Sequence, residues 1–431
     1  MTMAWRIQPS VAQSSPAPAR VLRRGGAAGF TLVELMVALT GGLFLSVVVF
    51  ALARDATRFY QREGRIASAT LAGAVAFDRL KADIERAGYL STPNIQSDPQ
   101  NCTLVAAGSP AGLQSLASAR IFADTPSLAS QAAFAANQSA GQVIRPDSIV
   151  LSGSYAATDE YTVADATDGT TITLQTNNPA MARLGYLNTS VASEQKALLE
   201  GVFGSTAGQI LRYKDRKVML YFGQIQSVAG GPNPTITLST ALPLMRGGAN
   251  TCGISGRGTG DSVNVVNIVR YQVMDLQANT TLSPPWAPLF TASKGGTTVV
   301  GEDNRTELVR SMENAAGNTI AGSVDVVAEY AVDLEFSVMG QLVRNTPTLT
   351  LATPPAAAFT TFYSAAMSGD RPQGVRLVRA RLSVRSREAD RTSGIAAGLF
   401  RFKLSATTND WARVRTFQAD VALPNQRNVQ W

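Results

Sequence analysis

From Phe30 to Ala53 the chain is apolar at almost every position, FTLVELMVALTGGLFLSVVVFALA, a run of 24 residues with a single charge at Glu34. A helix of that length spans roughly 36 Å, enough to cross a bilayer core of about 30 Å. The pattern then turns from continuous to periodic. Across residues 54–88, Ile66, Ala69, Gly73, Phe77, Leu80, Ile84 and Ala87 recur at spacings of three and four. That is an amphipathic stripe, with arginines and acids on the other face. No proline interrupts residues 19–92, and Gly88 supplies a stop signal. The pattern therefore predicts one helix of about 59 residues, on the order of 88 Å long. Its charged residues between Phe77 and Tyr89 are expected mostly to face water. The Gly41-Gly42 pair has two readings: a weak point, since glycine costs about 1 kcal/mol relative to alanine, or close packing through small residues.

After Tyr89 the periodicity fades. Residues 91–146, rich in Ala, Ser, Gln and Asn, read as a long connection with room for a short helix. Short β-branched and aromatic runs follow, separated by turn residues. The strands expected are Ser148–Leu151, Tyr161–Ala164, Thr170–Leu174, Gln209–Tyr213, Lys217–Phe222, Ser262–Met274, Val324–Val338, Val375–Arg385, Leu399–Ser405 and Val414–Leu423. Asp168-Gly169 is a good hairpin turn between the second and third of these. Residues 345–373, rich in Pro and Ala, read as a long loop. The fold class expected is α+β: a long helix, half apolar and half amphipathic, on an antiparallel sheet with long loops.

Composition changes this picture little. Charged residues are 16 % of the 431, too few for a disordered chain. The formal charge is +7, but Arg6, Arg20, Arg23 and Arg24 all precede Phe30 with no acid among them, and the rest of the chain carries only +3. Net charge thus gives little support for a nucleic-acid partner. There is no histidine, which removes Ser-His-Asp and Cys-His catalysis and His-ligated zinc. The two cysteines, Cys102 and Cys252, form no CxxC motif. Gly256-Arg257-Gly258-Thr259-Gly260-Asp261 lacks the ending of a phosphate loop and reads as a flexible turn. Asp165, Asp168 and Glu302-Asp303-Asn304 lack EF-hand spacing. The sequence predicts no catalytic residue, metal, cofactor or small-molecule substrate. Arg376, Arg379, Arg381 and Arg385 share one strand and have two readings: a basic face for an acidic partner or DNA, or a charged sheet face that discourages edge aggregation.

The most informative residue is Glu34. A carboxylate inside an apolar span is costly and by default marks function. If the chain were cut after Gly29, Phe30 would carry a new amino terminus one helical turn before Glu34, whose carboxylate could pair with the terminal amine of a neighbouring subunit. The string Gly29-Phe30-Thr31-Leu32-Val33-Glu34 resembles the signal of type IV pilins and type II secretion pseudopilins. Several later phrases resemble the PilW-like minor pilins in particular: Arg86-Ala87-Gly88-Tyr89, Val266–Tyr271, Glu307–Arg310, Val332–Phe336, Val375–Arg387 and Arg415–Asn425. The chain departs from that family in a long leader, whose start is Met1 or Met3, and in Pro424, where a basic residue is commoner.

The resemblance implies a leader, 1–29, removed by prepilin peptidase between Gly29 and Phe30, with N-methylation of Phe30. It also implies a membrane and fibre-core helix over 30–53, an amphipathic continuation over 54–89, a variable connection over 90–146 and a β-rich extracytoplasmic domain over 147–431. Glu34 becomes the assembly contact. The partners implied are the peptidase, the inner membrane, other minor pilins and the major pilin. The place implied is the inner membrane before assembly and the fibre afterwards, at or near the tip, where such proteins prime assembly. Alternatives are a GspJ-like pseudopilin and a pilus-borne adhesin or DNA-uptake receptor. In a periplasmic domain Cys102 and Cys252 fit a disulfide; two separate thiols are the other possibility.

Overall fold

The computed structural model describes residues 31–102, 109–123, 145–204, 208–245, 252–254, 260–276, 286, 305–343, 348–354, 357–363, 369–387, 401–404, 411–429 and 431. The chain divides into two compact units, Met1–Gln61 and Arg62–Trp431. Helix α1, Leu32–Arg86, belongs to both and runs without a break through Gly41 and Gly42, where an added Cβ would meet none of the described residues within 4 Å. It ends where the sequence supplies a residue able to turn left-handed: Gly88 has φ +79°. A Cβ there would meet Ser118 Oγ at 2.5 Å, and Asn425 Nδ2 donates to the Ala87 carbonyl at 3.0 Å, satisfying one of the helix's last acceptors.

Among the described residues, fifteen strands follow in two antiparallel sheets. They are β1 Ala119–Phe122, β2 Ser148–Gly153, β3 Tyr161–Asp165, β4 Thr171–Leu174, β5 Ile210–Lys214, β6 Leu220–Ala229, β7 Thr235–Leu238, β8 Ser262–Met274, β9 Glu307–Glu313, β10 Asp325–Glu329, β11 Ala331–Gly340, β12 Thr350–Ala352, β13 Val375–Arg385, β14 Arg401–Lys403 and β15 Trp411–Ala422. Helices α2 Ala111–Gln114, α3 Pro179–Leu184, α4 Ala192–Phe203 and α5 Ala357–Phe362 lie between them. The fold class is α+β, as expected.

The organising element is β8. Its second half pairs with β2 through Asn267–Tyr271 and with β9 through Ile268–Met274. Together with the sheet β12-β11-β13-β15-β14 these strands form the surface under the second half of α1. We call this helix-on-sheet part the trunk. The first half of β8 does something else. Val263 pairs with Tyr161 of β3 on one side and with Tyr213 of β5 on the other. β3 pairs β4, β4 pairs β7, β7 pairs β6 and β6 pairs β5. The pairing therefore closes on itself as a six-stranded antiparallel ring, inserted between β2 and the trunk half of β8. Closure leaves no free edge among its strands. The ring has its own core, in which Tyr161, Ile172, Tyr213, Tyr221, Ile236 and Val263 meet Met181 of α3 and Leu199 and Phe203 of α4.

Several expectations are corrected. Val324–Val338 is two strands, because Tyr330 takes φ +56°. Its ring lies 5.0 Å from the guanidinium carbons of both Arg305 and Arg385, contacts that offset an unfavourable backbone geometry. The 91–146 connection contains β1, whose Arg120 is buried because it pairs with Asp370 at 2.5 Å. The 345–373 loop contains β12 and α5. β7, β9, α3 and α4 match no predicted element, although α4 buries Gln195, Leu199, Val202 and Phe203 at helical spacing.

Candidate functional site

The described chain begins at the first turn of α1. Thr31 precedes the helix, and its side chain and that of Glu34 satisfy it reciprocally. The Thr31 N–H donates to Glu34 Oε2 at 3.1 Å, the Thr31 hydroxyl donates to the same oxygen at 3.0 Å, and the Glu34 N–H donates to Thr31 Oγ1 at 3.3 Å. This is a capping box, and an acidic group at a helix N-terminus also suits the macrodipole. This role of Thr31 was missed at the level of sequence, where the T-x-x-E spacing is the available signal. Gly29 and Phe30, the expected cleavage and methylation positions, lie outside the described residues.

From Leu32 to Leu52 the large apolar side chains are exposed on every face, Phe44 by 72 % and Phe50 by 73 %. The helix is long and apolar enough to cross a membrane, with a mean hydropathy of 2.5 over its most apolar window. A helix apolar all round needs a membrane or other chains to cover it.

The second half of α1 is gripped by the trunk. Asp83, expected among solvated charges, is instead buried, and its Oδ2 accepts hydrogen bonds from Tyr271 Oη and Arg310 Nε, both at 2.8 Å. The signal was its phase: Leu80, Asp83, Ile84 and Ala87 fall on one stripe. Burial opposes the Arg310 charge, but the hydrogen bond and charge of Asp83 outweigh it and hold its pKa above the ordinary value. Burial, then the Asp83 charge, pushes the Tyr271 hydroxyl well up, so it remains a donor. Tyr155 donates to the Asp83 carbonyl at 2.8 Å, and Arg79 reaches Asp325 of β10 at 2.5 Å. Higher up, Phe77 stacks on Phe417 at 6.1 Å between ring centroids, and Gly73 leaves room for the same ring.

The arginines of β13 form no free basic face. Arg379 bonds Asp420 through two contacts of 2.6 and 2.9 Å, and Arg381 pairs with both Asp333 and Glu335. Arg376 is spent on the carbonyls of Gln373 and Val429, and Arg385 is fully buried against Tyr330 and Phe402. Asp168 Oδ1 accepts from the backbone N–H groups of Thr170 and Thr171 and so serves its own turn. Glu302-Asp303-Asn304 and residues 256–259 lie outside the described residues. Among the described residues no group of three or more acidic or thiol side chains is arranged to hold a metal.

No family model matches the chain, and no characterised protein or solved structure shows significant similarity to it.

The two cysteines are joined. Cys102 and Cys252 form a disulfide with 5.4 Å between Cα atoms, across 150 positions of sequence. Cys102 is buried in the core of the ring, and Cys252 packs against that core while remaining partly exposed. Closing a loop of that size removes freedom from the unfolded chain, by about 5 kcal/mol in the chain-entropy account.

Proposed function

We propose that the chain is a minor pilin of the PilW-like kind, processed by prepilin peptidase and carried at or near the tip of a type IV pilus. The observation that carries this reading is the arrangement at its start. A glycine-phenylalanine junction leads directly into a helix whose first turn holds Glu34, whose next five turns are apolar and uncovered, and whose second half is bound to an antiparallel sheet. Before assembly the apolar half lies in the inner membrane with the β-domain in the periplasm. After assembly it is covered by the same halves of other pilins.

In this reading the fold is a type IV pilin fold with a ring of strands inserted into its sheet. Cleavage would place the Phe30 amine next to the Thr31–Glu34 box. The carboxylate is then already fixed at the helix start, where a neighbouring subunit's amine can reach it. The inserted ring makes the subunit bulky, which suits a terminal position better than a closely packed shaft. It also favours a second reading, in which the ring carries a receptor or adhesin role on the same fibre.

The deciding experiment is N-terminal mass spectrometry of the protein from its host, with and without the prepilin peptidase. The expected mature chain begins at methylated Phe30 and is lost without the peptidase. A chain that keeps residues 1–29 in both strains overturns the proposal.

A further inference from the structure

The ring has two ends, and among the described residues β8 carries only one of them into the trunk. At the trunk end β8 continues past Asn267 into its pairing with β2 and β9. The other end is formed by the β5–β6 turn, where Lys214 pairs with Leu220, and by the start of β8 at Ser262. A segment from outside the ring reaches that free end. Residues 94–102, just beyond α1, start on the trunk, where Asn94 Nδ2 donates to Gln373 Oε1 at 2.9 Å and the Ile95 N–H donates to the Leu116 carbonyl at 3.0 Å. They finish on the first residue of β6. The Leu220 N–H donates to the Gln100 carbonyl and the Cys102 N–H donates to the Leu220 carbonyl, both at 2.8 Å.

A second short segment meets the strap at the same place. The Gly253 N–H donates to Tyr221 Oη at 3.0 Å, and the Ile254 N–H donates to the Pro243 carbonyl at 2.8 Å. The disulfide joins these two segments. Towards the trunk the strap is anchored by Ile95, which shares a small core with Leu220 and Phe222. At its far end the disulfide is the covalent hold beside the two backbone bonds around Leu220 and the packing of Cys102. The helix-on-sheet core contains neither cysteine. The bond thus lies outside the core that holds α1, although ring and trunk share β8.

We propose that Cys102–Cys252 is a redox-releasable latch: it fastens the strap over the free end of the ring, and two-electron reduction by a dithiol opens that end while the trunk stays folded. Cys252 is the more exposed of the two residues, so attack is expected at its sulfur. A thiolate of the dithiol attacks it, the S–S bond breaks, and Cys102 leaves as the thiolate and takes up a proton. The second thiol of the reductant then displaces Cys252 as a thiol. The protein gains two electrons and two protons, and the dithiol is oxidised to its own disulfide. The inference does not depend on the pilus reading, since it concerns the ring and strap alone.

Hydrogen–deuterium exchange of the full chain in detergent, oxidised and after dithiothreitol, tests it. Reduction is expected to speed exchange about tenfold or more in residues 94–102, 220–222 and 252–254. The trunk strands Ile268–Met274, Glu307–Glu313 and Val375–Arg385 should change by less than about twofold. A C102S/C252S double variant should reproduce the reduced pattern. If that variant does not fold, reduction of the folded wild-type protein gives the same reading without refolding. Equal loss of protection in the trunk, no change in any segment, or failure of native protein to yield two free thiols under the dithiol overturns the latch.

Discussion

Asp83 and Asp333 are both buried carboxylates beside an arginine, yet they make opposite contributions. Asp83 is satisfied by Tyr271 and Arg310, so removing it leaves a buried guanidinium without its partner. Asp83→Ala is expected to cost about 3–5 kcal/mol in denaturant unfolding, and a loss below about 1 kcal/mol would mean that the network does not hold the helix. Asp333 is poorly satisfied: its Oδ1 has no hydrogen-bond partner. Burial, then the charge of Glu335, raises its pKa to about 6 against the pull of Arg381. A carboxyl whose pKa is higher folded than unfolded favours folding most below its unfolded value, near 4, and loses that contribution as pH rises through about 6. Melting curves of wild type and Asp333→Asn from pH 4 to 7 should therefore diverge. Relative to the variant, wild type should lose on the order of 2–3 kcal/mol across that window. A constant difference between the two proteins would show that Asp333 titrates normally.

At the scale of elements, α1 is where sequence and structure agree most closely, because period and stop signal are local properties. The helix was legible to within two residues at either end, as were Ser262–Met274 and Val375–Arg385. What was not legible depends on contacts between distant residues. The break at Tyr330 needs Arg305 and Arg385; buried Arg120 needs Asp370; ring closure needs β8 to pair on both sides, which no alternation pattern encodes. Of the candidate site, Glu34 was legible from its cost, whereas the Asp83 partners lie 188 and 227 positions away. Two glycines of α1 make the same point experimentally. A Cβ on Gly73 would lie 2.6 Å from Phe417 Cε2 and 2.8 Å from Val384 Cγ2, while Gly64 has nothing within 4 Å. Gly64→Ala should stabilise by up to about 1 kcal/mol through helix propensity alone. Gly73→Val should destabilise by about 1–3 kcal/mol through overpacking. Thermal melts that moved the two variants in the same direction would contradict the packing of α1 on β13 and β15.

Across the whole molecule, apolar surface is distributed in a way that separates folding from association. The buried cores, one under α1, one inside the ring and two smaller ones, are made entirely by residues after Gln61. Among the described residues, 32–52 are exposed throughout, and an exposed apolar helix of this length is far larger than the patches soluble monomers tolerate. The described cores of the β-domain therefore lie within Arg62–Trp431 and draw on none of the apolar segment. The fragment 62–431, made under oxidising conditions, is expected to be soluble and monomeric and to unfold cooperatively within about 1–2 kcal/mol of the full chain in detergent. It should keep its disulfide and the protection of the ring. The full chain without detergent should associate through residues 32–61. Size-exclusion chromatography with denaturant unfolding checks both statements. A fragment that aggregates or melts without a transition would mean that the first half of α1 belongs to the fold after all, and the division between a folding unit and an associating segment would fail with it.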